Sequence, residues 1–216
     1  MMYKLKSAWL IVGLMFIAAI AAYTQIDPSL SVPIHWNING EVDQVASPLL
    51  AFFLIPTVSL LIVFIISKLH TFEPRTENIK QSGKAIHAII ICATILLAFV
   101  HTTIISSAFG RENINVNIVL ACIGALIAVI GNYLPKIQSN FFAGIRTPWT
   151  LASDEVWRKT HRIGSIGLTL AGLLIFGMAL ALPAQFGLIA LLGIIISMSL
   201  FIALYSWYLW RKEQKT

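Results

Sequence analysis

Residues 163–182 read IGSIGLTLAGLLIFGMALAL, and residues 186–210 read FGLIALLGIIISMSLFIALYSWYLW. Neither stretch holds an Asp, Glu, Lys or Arg. A helix of roughly 20 apolar residues spans the ~30 Å hydrocarbon core of a bilayer, so each stretch reads as a membrane-crossing helix. Four further charge-free runs precede them: Ser7 to Thr24, Leu49 to Ser67, Ala85 to Phe109 and Val116 to Leu134. Charge, Pro, Asn or Gly bounds every run, as helices need where backbone groups find no water. Of the 216 residues, 58% are hydrophobic and 11% charged, against roughly a quarter charged in soluble domains. The expected fold class is an all-α integral membrane protein with about six transmembrane helices.

Orientation follows from the 15 Lys and Arg residues. Lys4 and Lys6 precede the first span, and Lys68, Arg75, Lys80 and Lys84 lie between the second and third. Lys136, Arg146, Arg158, Lys159 and Arg162 lie between the fourth and fifth, and Arg211, Lys212 and Lys215 follow the sixth. The alternate loops hold Arg111 alone. By the positive-inside rule both termini are expected in the cytoplasm, with residues 25–48, 110–115 and 183–185 outside. The net charge of +6 then suits anionic inner-leaflet lipid and calls for no direct nucleic-acid partner. Tyr3, Trp9, Tyr133, Tyr205, Trp207, Tyr208 and Trp210 at the inner ends, with Tyr23 at an outer one, form an interfacial aromatic belt. Residues 1–23 also admit a reading as a cleaved signal peptide, although the stretch is long enough to span.

Cys92 and Cys122 each sit inside an apolar run and define neither a zinc site nor a disulfide framework. Gly167 with Ala171, Gly177 with Ala181, and Gly124 with Ala128 offer small-residue faces for close helix packing.

Two loops carry more chemistry. In the outer one, alternation of Ile34, Trp36 and Ile38 ahead of Asn39 and Gly40 predicts a short hairpin with a type I′ turn, positive φ at both central residues. His35, Glu41 and Asp43 are placed to meet across it as a divalent-metal or peptide-binding cluster, or to stand as a solvated turn with Trp36 on the headgroup layer. The Asn37, Asn39, Gly40 spacing mimics part of a calcium loop, but His35 and Ala46 stand where ligands are needed, so calcium is not expected and no metal site is assigned. In the inner loop, Ser153 is a natural N-cap, and Asp154 with Arg158 and Glu155 with Lys159 are favourable four-residue pairs. Pro148 holds Thr147 extended, which sets Arg146 between Ile145 and Trp149 as a basic and aromatic corner. Arg146 there is suited to clamp a carboxylate or lipid phosphate, or to cap carbonyls of its own loop.

The run Asn140 to Gly144, Ile145, Arg146, Thr147, Pro148, Trp149, Thr150, Leu151, ending in Val156 and Trp157, resembles the SdpI family. The outer pattern Pro33 to Trp36, Gly40 and Asp43 to Pro48 resembles a short bacterial membrane domain of unknown function that accompanies it. The resemblance implies two modules: residues 1–84, two helices and the hairpin, and residues 85–216, four helices and the GIRTPWTL loop. It implies a bacterial plasma-membrane immunity protein that confers resistance to a secreted antimicrobial peptide, and a signal receptor that sequesters a transcriptional repressor. Toxin contact is then expected at Ile34, His35, Trp36, Asn39, Gly40, Glu41 and Asp43. Contact with the repressor is expected at Asn140, Gly144, Arg146, Thr147, Pro148, Trp149, Thr150 and Trp157.

Catalysis is not expected, since the chain has no His-Glu-x-x-His, no Gly-x-Ser-x-Gly and no paired intramembrane carboxylate. No cofactor is expected either. His101, beside Thr102 and Thr103, is the conspicuous ionisable group in a span, either functional or a neutral histidine bonded to a neighbouring helix. A small transporter or an envelope-homeostasis protein is the alternative reading.

Overall fold

The computed structural model describes residues 5–111 and 115–215, so Tyr3 and Lys4 of the aromatic and basic pattern lie outside the described residues. Helix α1, Lys6–Tyr23, leads to strands β1, Val32–Trp36, and β2, Val42–Ala46. Helices α2, Pro48–Phe72, α3, Thr76–Ala108, and α4, Val116–Tyr133, follow. A short 3-10 turn, Leu134–Lys136, and a one-turn helix α5, Pro148–Ala152, precede α6, Asp154–Ala181, and α7, Ala184–Glu213. Six of these helices are long and apolar enough to cross a membrane, matching the six charge-free runs. Large side chains such as Leu10, Ile17, Leu61, Leu170, Ile189 and Leu204 are exposed on their outward faces, a surface that only lipid covers without cost.

Helices α1, α2 and α3 pack on one another, α6 packs on α4 and α7, and α3 joins the two groups through α4. Helix α3 begins at Thr76, well ahead of the apolar run, and passes unbroken through residue 84. It therefore belongs by packing with α1 and α2 as much as with α4. The contact between α4 and α6 is backbone to backbone. A Cβ on Gly172 would lie 2.3 Å from the Ala128 nitrogen, and one on Gly124 2.6 Å from the Phe176 nitrogen. Of the small-residue faces expected from sequence, Gly124 with Ala128 makes this seam and Gly167 receives Met198 of α7. Gly177 and Ala181 face outward instead.

One break in the helical ladder is repaired across helices. Pro56 lies inside α2 and has no N–H, so the carbonyl four residues before it, Phe52 O, loses its normal partner. His101 of α3 supplies the replacement: its Nε2 donates to Phe52 O at 2.9 Å, and both residues are fully buried. His101 is thus bonded to the backbone of a neighbouring helix. Replacing it by Leu should orphan that carbonyl and lower stability by about 1–3 kcal/mol. Pro56→Ala in the same chain restores an N–H to Phe52 O, so thermal melting in detergent should recover most of the loss. A double variant that melts no higher than His101→Leu would break the link.

Candidate functional site

Polar groups gather at the two ends of the bundle. At one end stands the hairpin, with β1 paired antiparallel to β2 from Val32 opposite Ala46 to Trp36 opposite Val42. Its turn differs from the expected type I′. Only Gly40 has positive φ, at 80°, while Ile38 and Asn39 stay on the ordinary side. The Asn37 side chain decides this: its Oδ1 accepts from the Asn39 and Glu41 amides at 2.9 and 3.1 Å, and its Nδ2 donates to Glu41 Oε2 at 2.8 Å. Gly40 N–H donates to Asn37 O and Asn37 N–H to Glu41 O, the pattern of a three-residue loop closed by a left-handed glycine.

That turn separates the expected polar cluster. His35 Nδ1 meets Asp43 Oδ1 at 2.5 Å on the exposed face, whereas Glu41 is bound to Asn37. Ile34 and Trp36 turn the other way and pack on a core of Ala19, Ala22, Phe52 and Ile104. The Trp36 indole N–H is buried there without a partner among the described residues. The exposed apolar side chains of the hairpin are Val42 and Val45.

At the opposite end, residues 137–152 are built around three buried side chains. Asn140, fully buried, donates through Nδ2 to Gln138 O and Ala143 O at 2.8 and 2.9 Å. Its Oδ1 accepts from the Phe142 and Ala143 amides. Thr150, also fully buried, donates to Ile145 O at 2.9 Å and forms a reciprocal capping box with Thr147 at the start of α5, where Pro148 fits the first turn. Thr147 Oγ1 also lies 3.0 Å from Ser206 Oγ of α7. His161 of α6 accepts the Ile145 amide at Nε2, 3.0 Å away, and donates from Nδ1 to Trp157 O at 2.9 Å. These bonds fix the neutral tautomer with the proton on Nδ1. Trp157 stacks on His161, ring centroids 4.1 Å apart, and donates to Ile137 O.

Gly144 is where the loop backbone lies tightest against α6 side chains. Its φ is +107°, and a Cβ there would lie 2.5 Å from His161 Nε2 and 3.1 Å from the Trp157 ring. Arg146 is exposed and donates through Nη1 to Phe141 O at 2.7 Å, which makes it a staple across the loop. Trp149 is half-buried, and Phe141 and Phe142 are exposed. As foreseen, Ser153 caps α6 by accepting from Val156 N. Lys159 pairs with Glu155 at 3.0 Å, but Arg158 also turns to Glu155, and Asp154 lies 3.6 Å from Arg75 instead.

Sequence reasoning overlooked the α2–α3 link as the loop's other anchor. Glu73, nearly buried, accepts from the Arg75 amide at 2.8 Å and the Phe141 amide at 2.9 Å. Arg75 donates to Ser139 Oγ and to Leu151 O and lies over the Phe141 ring, 5.0 Å from its centroid. Asn78 donates to Ser139 O at 2.7 Å, and Ser82 accepts from the Gln138 amide at 2.8 Å. The signal in the sequence is an acid placed directly before a proline, Glu73-Pro74, in a loop that also holds Lys68, Arg75, Lys80 and Lys84. Gly144→Ala should destabilise the protein by about 1–3 kcal/mol through backbone strain alone, with further loss from the clash with His161. His161→Ala should cost a similar amount by orphaning the Ile145 amide. Hydrogen exchange in detergent should show residues 137–147 opening first in both variants, and unchanged protection there would refute the anchoring role.

Residues 136–206 match the SdpI/YfhL protein family, and residues 10–60 match a domain of unknown function, DUF1648. Immunity protein SdpI of Bacillus subtilis (strain 168) is 29% identical over 170 residues, which cover 77% of this chain and 76% of that protein. No solved structure matches the chain. Six spanning helices and this likeness describe a multi-pass protein of the bacterial plasma membrane. The motif loop, with His161 and Trp157, lies in the region similar to the SdpI/YfhL family, and the hairpin lies in the region similar to DUF1648.

Proposed function

We propose that this protein confers immunity to a secreted antimicrobial peptide, met at the hairpin end, and that its GIRTPWTL loop holds a transcriptional repressor at the inner face. The observation that carries this reading is the similarity to an immunity protein across three quarters of both chains. The distribution of charge agrees with it. Among the described residues, Arg111 is the single Lys or Arg at the hairpin end, so that end faces outward and both termini lie in the cytoplasm. A secreted peptide then meets the exposed His35–Asp43 pair together with Val42, Val45 and the Asn39–Gly40 tip, a mixed polar and apolar surface suited to a cationic amphipathic peptide. Ile34 and Trp36 serve that surface from beneath by fixing the hairpin to the bundle. At the other end, Phe141, Phe142, Gly144, Arg146 and Pro148 are exposed in the motif loop, available to an inner partner.

Two measurements test the reading. With Cys92 and Cys122 replaced by Ala, a cysteine at position 41 should react with an impermeant reagent on intact cells, and one at position 77 only after permeabilisation. The reverse pattern overturns the orientation. Expression in a sensitive bacterium should protect it against the cognate peptide. His35→Ala with Asp43→Ala should abolish protection at unchanged protein level, whereas Arg146→Ala should spare protection and lose signalling to the repressor. A well-expressed wild type that protects against no secreted peptide of its own strain sinks the immunity claim.

A further inference from the structure

Between the loop-end turns of α6 and α7 lies a cleft of about 490 Å³. Val156 and Leu209 form its apolar wall, and Tyr205 and Tyr208 stand on the α7 side. Charges of both signs ring it: Lys159 and Glu155 from α6, Lys212 and Glu213 from α7. Two cations against two anions make the cleft electrically neutral overall, with Lys159 paired to Glu155 on α6 and Lys212 next to Glu213 on α7, so groups of both signs line it, an arrangement that complements a zwitterion better than a simple anion.

The geometry points to a binding site for one phospholipid headgroup carrying a phosphate and a primary ammonium, that is, a phosphatidylethanolamine. Lys159 is oriented by Glu155, whose oxygens are taken by Lys159 at 3.0 Å and Arg158 at 2.6 Å. Lys159 and Lys212, on facing helices, supply donors for the phosphate oxygens, and the Tyr205 and Tyr208 hydroxyls, which bond no described protein group, add two neutral donors. Glu213 is held from the other side, where Ser153 Oγ donates to its Oε1 at 3.0 Å, leaving Oε2 for the ammonium. The apolar wall continues into the membrane-facing surface of both helices, where Leu204 and Ile166 are exposed, so an acyl chain can follow the headgroup. Tyrosines at a helix end and lysines with long apolar stems are the residue types that work at this depth.

Native mass spectrometry of the full chain in detergent, with phosphatidylethanolamine, phosphatidylcholine and phosphatidylglycerol of matched acyl chains, tests the site. Retention should be about tenfold tighter for phosphatidylethanolamine than for phosphatidylcholine, whose methylated amine cannot donate to Glu213, given that a hydrogen bond to a charged group is worth ~1.5–3 kcal/mol. Glu213→Gln should erase that preference, and Lys159→Gln with Lys212→Gln should weaken retention of phosphatidylethanolamine by tenfold or more. Tyr208→Phe, which leaves every helix contact in place, should weaken it a few-fold and keeps the test open if the charge variants fail to fold. Equal retention of the three lipids, a preference for phosphatidylglycerol, or wild-type retention by the folded variants overturns the site.

Discussion

A backbone group inside a bilayer has no water to fall back on, and the consequences of that constraint run through the whole molecule. It makes the spans helical, and it makes any departure from the helix expensive unless another part of the protein supplies the missing partner. Pro56 removes one rung of α2, and His101 on α3 replaces it. Residues 137–147 leave helical geometry at the end of α4, and Asn140, Thr150, Ser82, Glu73 and His161 take up their amides and carbonyls one by one. The polar side chains that look functional in a list of residues are, in large part, substitutes for water.

This explains which features were legible from the sequence. The six spans were, because composition alone separates 20 apolar residues from a loop, and so was the cap at Ser153, because it acts on an amide three residues away. The hairpin was legible from its alternation, but its turn was not, since the Asn37 side chain outbid the Asn39–Gly40 preference for a two-residue turn. Glu73 and Arg75 were hidden for a different reason. Their partners Phe141, Ser139 and Leu151 lie more than 60 residues away, and no local pattern encodes a contact of that length. Arg75 counted toward orientation while its role as a loop anchor stayed invisible.

The two ends of the molecule are organised differently, and the contrast bears on how each meets a partner. The hairpin keeps Ile34 and Trp36 against the bundle and offers solvent a small face of polar groups with Val42 and Val45, held by one ion pair and one turn. The motif loop buries Ser139, Asn140 and Thr150 and exposes Phe141 and Phe142 beside Arg146. A ligand at the first end meets preformed hydrogen-bonding groups, and one at the second meets aromatic side chains on a braced backbone.

The seam between α4 and α6 has a consequence for how the chain is made. Helices that approach so closely at Gly124 and Gly172 cannot seat until both are present, and residues 137–153 separate them in order of synthesis. Until α6 is made, the glycine face of α4 lacks the partner that it packs against in the finished bundle. Only when α6 inserts does the seam close, and only then do His161 and Trp157 arrive beneath Gly144 to give the loop its shape. The braced loop thus depends on α6 for its shape and cannot be complete before that helix is in place.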